Sequence, residues 1–108
     1  MIRGTTPTHV FTKLPVLSTD IAELWVTYLQ NGREVLTKDK TSAVFIDDPE
    51  EETSILEVTL SQEETLKFNY GPASVQLRLL LIDDTALASD EVPLVVKRIL
   101  KNGVIGAE

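Results

Sequence analysis

The chain has no cysteine and one histidine among its 108 residues, and each shortage removes a class of chemistry. Without cysteine there is no disulfide framework, no thiolate zinc site and no cysteine nucleophile, so stability has to come from buried apolar area. With His9 as the sole imidazole, a hydroxyl nucleophile has one base to draw on, and the neighbouring Thr6, Thr8 and Thr12 are ordinary company for an edge-strand histidine. No apolar run exceeds four residues, Leu79 to Ile82 being the clearest, where a helix needs about 20 to cross a bilayer. The opening residues Met1 to Thr8 contain no signal-peptide apolar stretch, so the expectation is a product made in the cytoplasm. Positive charge is also thin: ten Lys and Arg are scattered singly against 17 Asp and Glu, for a net charge of −7. Such a surface repels phosphate backbones and anionic lipid, which argues against nucleic-acid and membrane partners. Phosphate loops, CxxC, HExxH and GxSxG are all missing.

What remains is a composition that folds. Hydrophobic residues make up 43% and charged residues 25%, and the length suits one core. We expect a single domain over residues 1–100, followed by a glycine-containing tail over 101–108 that only a partner would hold.

Strand signals dominate. Thr8 to Leu14 is β-branched and aromatic and stops at Pro15, which marks an edge strand. Ser18 to Gly32 reads two ways. Ile21, Leu24, Trp25, Tyr28 and Leu29 fit a helical stripe, but Ala22, Leu24, Val26 and Tyr28 alternate, and the segment runs into Asn31-Gly32, the dipeptide of a type I′ turn. The hairpin reading, with Arg33 to Lys38 as return strand, is preferred. Ala43 to Asp47 forms a further strand ahead of the acidic loop Asp47 to Glu52. In Ile55 to Leu60, Leu56, Val58 and Leu60 share one face. Ser61 with Glu64 has capping-box spacing, so a turn or two of helix follows over Glu63 to Phe68. Ala73 to Asp83 is the central strand, with Val75, Leu77, Leu79 and Leu81 on one face and its far end covered on both sides. After a turn at Asp83 to Thr85, Glu91 to Ile99 supplies the last strand, with Leu94 and Val96 inward. The expected fold is therefore all-β: an immunoglobulin-like antiparallel sandwich of about seven strands, with one short helical turn between strands five and six.

No catalytic, cofactor-binding or metal-ligating set emerges. Asp47, Asp48 and Glu50 to Glu52 lack the glycine and alternating spacing of a calcium loop and read as a solvated acidic turn, as do Asp83, Asp84 and Asp90. The aromatics carry more information. If Leu24, Val26 and Tyr28 face inward, Trp25 and Leu29 lie on the opposite sheet face, where they mark a protein contact. Two other roles stay open: Trp25 as a core residue, and Trp25 with Tyr28 and Tyr70 as a sugar-stacking platform.

Several segments, taken together, resemble a family of small structural proteins from the tail and morphogenesis genes of prophages in Gram-positive bacteria. They are Met1 to His9, Val26 to Gly32, Leu60 to Phe68, Val75 to Arg78 and Ala86 to Asp90. More distantly, the order of strand, helical turn, glycine, long strand and final hairpin resembles the N-terminal β-sandwich of phage upper baseplate proteins. In place of the expected Asp-Gly turn stands Asp84-Thr85. The resemblance implies a virion component that attaches to other phage structural proteins, commonly as a homo-oligomer, with no cofactor and no functional residue carried over. The alternative function is a carbohydrate- or host-surface-binding module of the same fold.

Overall fold

The computed structural model describes residues 1–106. The chain forms two antiparallel sheets facing one another. The strands are β1 (Thr8–Leu14), β2 (Ile21–Gln30), β3 (Arg33–Asp39), β4 (Ala43–Asp48), β5 (Thr53–Thr59), β6 (Gly71–Leu81), β7 (Ala86–Ala88) and β8 (Val92–Val96), with a one-turn helix α1 (Gln62–Thr65) between β5 and β6. The smaller sheet has the order β1-β5-β4. In the larger sheet β3 pairs β2, β2 pairs β6, and β6 pairs both β7 and β8. Among the described residues no helix is long and apolar enough to cross a membrane.

The all-β sandwich is the expected fold, with eight named strands where about seven were read. The extra one arises because β7 and β8 follow each other along the same side of β6. The register slips by one residue between the Arg78–Ala88 pair and the Val75–Val92 pair. Ser89 fills the break: its backbone N–H donates to the Leu77 carbonyl, and its hydroxyl accepts from the Leu77 N–H at 2.9 Å.

Local chemistry explains the elements. Asn31 and Gly32 both take positive φ, 54° and 74°, closing the β2–β3 hairpin as the dipeptide dictates. A helix over Ser18 to Gln30 loses to this turn and to two partner strands, and only a 3-10 turn at Ser18–Asp20 survives of it. The capping box is formed: the Glu64 N–H donates to Ser61 Oγ, and the Ser61 N–H donates to Glu64 Oε1. At the β6–β7 turn Asp84 itself adopts φ 68°, a conformation aspartate tolerates better than most residues, so glycine is not needed.

Between the sheets lie Leu24, Val26 and Tyr28 of β2, Leu56 and Val58 of β5, Val75, Leu77 and Leu79 of β6, Val96 of β8, and Leu60 and Phe68 flanking α1, all buried. Each β2, β5 and β6 member belongs to the inward register read from alternation. The far end of β6 departs from expectation. The strand stops at Leu81, and Ile82 stands 67% exposed in the turn rather than covered.

In the tail, Gln62 of α1 donates to the Ile105 carbonyl and accepts from the Ile105 N–H, at 3.1 and 2.9 Å. Residues 107 and 108 of the expected tail lie outside the described residues.

Candidate functional site

The two outer sheet faces carry the exposed apolar side chains that a partner could use. On the larger sheet, the bulge between Ile21 and Glu23 sets the register so that Leu24, Val26 and Tyr28 point inward. That sends Trp25 outward, into a cross-strand row of Asp39, Trp25, Arg78 and Ala88. Trp25 is 44% exposed. A shallow groove of about 290 Å³ lies to one side of it, lined by Glu23, Arg78, Leu80 and Ala86. A second groove, of about 200 Å³, lies on the other side against Asp39, Lys40 and Thr41. Leu29 is half-buried further along the same face, opposite Ser74 and Glu34. Both residues read as a contact pair are thus on the outer face, with Thr27 between them tied to Thr37 by a 3.2 Å hydroxyl pair.

The core role for Trp25 is replaced by Tyr28, the largest fully buried side chain. Nor do the aromatics assemble a sugar platform. Tyr28 is inside, and Tyr70, although 71% exposed, precedes β6 while Trp25 pairs with Arg78, about 25 Å further along at 3.3 Å per residue. Tyr70 instead lies under the Arg98 guanidinium at 6.0 Å.

His9 takes no threonine hydroxyl as partner. Thr8 bonds Thr59, and the His9 Nδ1 meets the Tyr28 hydroxyl at 2.6 Å, linking β1 of one sheet to β2 of the other. Burial, and then the positive N-terminus, lower the imidazole pKa from its ordinary value of 6.5. Burial, then the Glu64 charge, raise that of Tyr28, so the phenol keeps its proton. Tyr28 packs edge-on against Phe68, at 5.8 Å between centroids. Beside them Lys38 bridges Glu64 at 2.8 Å and donates to the Thr59 carbonyl. Burial opposes ionisation of Glu64 most strongly, yet the bonds from Lys38 and Ser61 and the Lys38 charge together outweigh it, and its pKa is lowered.

The His9 shift sets a pH dependence. An imidazole whose pKa is lowered by folding binds its proton more readily when unfolded, so its contribution is full above about 6.5 and is lost as pH falls through that value toward the folded pKa. The carboxylates with lowered values, Asp39, Asp47, Asp83 and Glu64, act below their ordinary range near 4 and leave this window clear. The urea midpoint is therefore expected to fall between pH 7.5 and 5.5, and His9→Gln to flatten that slope. An unchanged slope in the variant would assign it elsewhere.

A hollow of about 490 Å³ sits at the hairpin tip between Gln30, Arg33, Glu34, Lys67 and Asn69. Gln30 forms its floor and is already engaged: it donates to the Asn69 carbonyl and accepts from the Asn69 N–H, both at 2.7 Å. The acidic loop Pro49 to Glu52 is exposed, and among the described residues no group of three His, Asp or Glu side chains is placed to hold a metal ion.

We compared the chain with family models, curated proteins and solved structures. It matches none. What can be said of function therefore rests on the surfaces themselves.

A signal for the second surface was present in the sequence but unused. Val10, Val44 and Ile46 alternate with inward residues on β1 and β4, and pairing through Glu57 and Ile55 of β5 gathers them on the outer face of the smaller sheet. They are as exposed as Trp25 or more so. Alternation within each strand gives their side of the sheet; only the β1-β5-β4 order makes them neighbours.

Proposed function

We propose that this chain is a non-enzymatic structural domain of phage or prophage tail or baseplate type, which works by contact with other structural proteins of the particle. The observation that carries the reading is Trp25, a large rigid aromatic on an outward sheet face between two grooves. Tryptophan offers much contact area for little conformational entropy and is enriched among the residues that dominate interface energetics. Leu29 extends the same face. The resemblance of Met1 to His9, Val26 to Gly32 and Leu60 to Phe68 to prophage tail proteins supports the particle assignment.

Immunoglobulin-like topology belongs to the same proposal. The order β1-β5-β4 corresponds to strands B, E and D, and β3-β2-β6-β8 to C′, C, F and G, with α1 on the E–F connection and, ahead of strand B, a single parallel bridge of Ile2 to Lys97. Antibody domains bury a strand C tryptophan in the core; here the strand C tryptophan stands at an outward position and Tyr28 fills the core.

The test is incorporation. Particles purified from the bacterium that carries the gene are expected to contain the chain at fixed stoichiometry. Trp25→Ala, which removes an outward side chain and leaves the core intact, is expected to lower incorporation at least about tenfold, the effect of losing one central aromatic anchor. A chain that stays out of the particles, or a variant that enters them as wild type does, contradicts the proposal.

A further inference from the structure

We infer that β4 pairs edge to edge with β4 of a second copy, antiparallel and about a two-fold axis through Phe45. This rests on the reading of the chain as an assembly domain and names a partner for a surface that Trp25 does not reach.

An edge strand offers a row of unpaired N–H and C=O groups, and proteins that stay apart blunt such edges with charge, proline, bulges, shortness or a covering segment. Every other edge in this molecule carries one of these. β1 is bulged between Phe11 and Leu14, with Lys13 at φ 54°. In β3 four of seven residues are charged, Arg33, Glu34, Lys38 and Asp39. β7 has three residues. β8 contains Pro93 and is overlaid by the N-terminus: the Met1 ammonium donates to the Val95 carbonyl, the Lys97 N–H to the Met1 carbonyl, and the Arg3 N–H to the Lys97 carbonyl.

Among the described residues β4 alone is unblunted. Its run Ala43-Val44-Phe45-Ile46 has no charge, proline or bulge, and its register with β5 is unbroken. Among the described residues the one backbone bond it makes beyond that ladder is at its start, where the Ala43 N–H donates to the Lys40 carbonyl. Asp47, the first charge, is taken up by the Ser18 N–H and hydroxyl at 2.9 and 2.6 Å.

Three features select a second copy, antiparallel, as occupant. The strand is self-complementary about Phe45: Val44 of each copy falls opposite Ile46 of the other on the outer face, pairing two β-branched side chains that stand 61% and 52% exposed. The three-stranded sheet is too narrow for the sheet it covers, so Phe45, although packed on the core, remains half-exposed at the open side. Phe45 of the second copy closes that side. Charge then fixes direction. Each strand ends on the acidic run Asp47 to Glu52. Parallel pairing would stack two of these acidic loops in a chain of net charge −7, while antiparallel pairing sets them at opposite ends of the joint. The result is a closed, isologous dimer with a continuous six-stranded sheet.

Because the chain has no cysteine, introduced thiols report this register alone. Directly opposed residues lie about 4.5–5.5 Å apart between Cβ atoms and diagonal ones about 7–8 Å, while a disulfide needs about 3.5–4.5 Å. A 1:1 mixture of Val44→Cys and Ile46→Cys chains, oxidised with glutathione disulfide, is expected to give at least fivefold more covalent dimer than either chain alone. Val10→Cys, equally exposed but on the bulged edge, should give none above background. Ile46→Lys, an outward substitution that spares the core, should abolish cross-linking of Val44→Cys when combined in one chain and mixed with Ile46→Cys. Equal yields from the mixture and the single variants, or from Val10→Cys, overturn the pairing. If cross-linking fails while the chain still enters particles, the pairing falls and the assembly function stands; if both fail, so does the function.

Discussion

Truncating Phe68 to alanine is expected to remove about 3–5 kcal/mol of folding stability, a large part of what a domain of this size possesses. The ring is fully buried, at the point where the α1 connection enters the sandwich, and it meets Tyr28 edge-on at 5.8 Å. Losing it combines the transfer term for a buried aromatic with a cavity that fixed strands cannot collapse. The edge-on pair adds about 0.5–1.5 kcal/mol beyond area. Tyr28 in turn bonds His9 of the facing sheet at 2.6 Å, so the cavity also loosens that link between the sheets. Urea denaturation of the purified variant measures the loss. A cost below about 1.5 kcal/mol would place Phe68 outside the core.

The second large effect is expected at Gln30. This side chain is buried at the end of β2, where the hairpin closes on Arg33, and its amide behaves as an extra peptide group. It donates to the Asn69 carbonyl, with a longer contact to the Pro72 carbonyl at 3.4 Å, and it accepts from the Asn69 N–H. Gln30→Leu keeps the volume and removes both bonds to the Asn69 backbone, which borders the open hollow and can take water in exchange, for an expected loss of about 1–3 kcal/mol at about 0.5–1.5 per bond. Gln30→Glu is the sharper variant. A carboxylate can still accept from the Asn69 N–H but sets a negative oxygen against the Asn69 and Pro72 carbonyls, so it should be at least as damaging at pH 7 as leucine and should recover partly as the acid protonates. A glutamate variant as stable as wild type would show that the donor half of the amide does no work.

Much of this molecule is legible in its residues, because the strong signals are local. Asn31-Gly32 fixes a hairpin over a helical stripe, Ser61 with Glu64 fixes the α1 turn, and alternation assigns Leu56, Val58, Val75, Leu77 and Leu79 to the core. What alternation cannot give is which strands lie side by side. The gathering of Val10, Val44 and Ile46 depends on β5 running between β1 and β4, a pairing between residues 40 to 51 positions apart for β1. The break between β7 and β8 and the bonds between Gln62 and Ile105 are likewise long-range, and the tail composition gave no sign of them. Trp25 was assignable to the outer face only after the inward register of β2 was chosen. Its exposure, and the grooves beside it, follow from Arg78, Leu80 and Ala86 arriving on neighbouring strands.

The two surfaces answer different needs. Trp25 lies on the larger sheet, where a partner could seat against an anchored ring without disturbing the ladder. β4 lies on the smaller sheet, where backbone pairing extends the structure itself. A particle component that both doubles and docks can use each independently, and substitutions at one should leave the other intact.

The most direct test of the claim that this chain pairs with itself through β4 is its solution mass, measured by light scattering on size exclusion over a concentration series of the unmodified chain. Assembly through the sheet surfaces predicts a mass that rises with concentration from 12.0 kDa to twice that value and then holds. A mass fixed at 12.0 kDa at every concentration, up to the millimolar range, would contradict it.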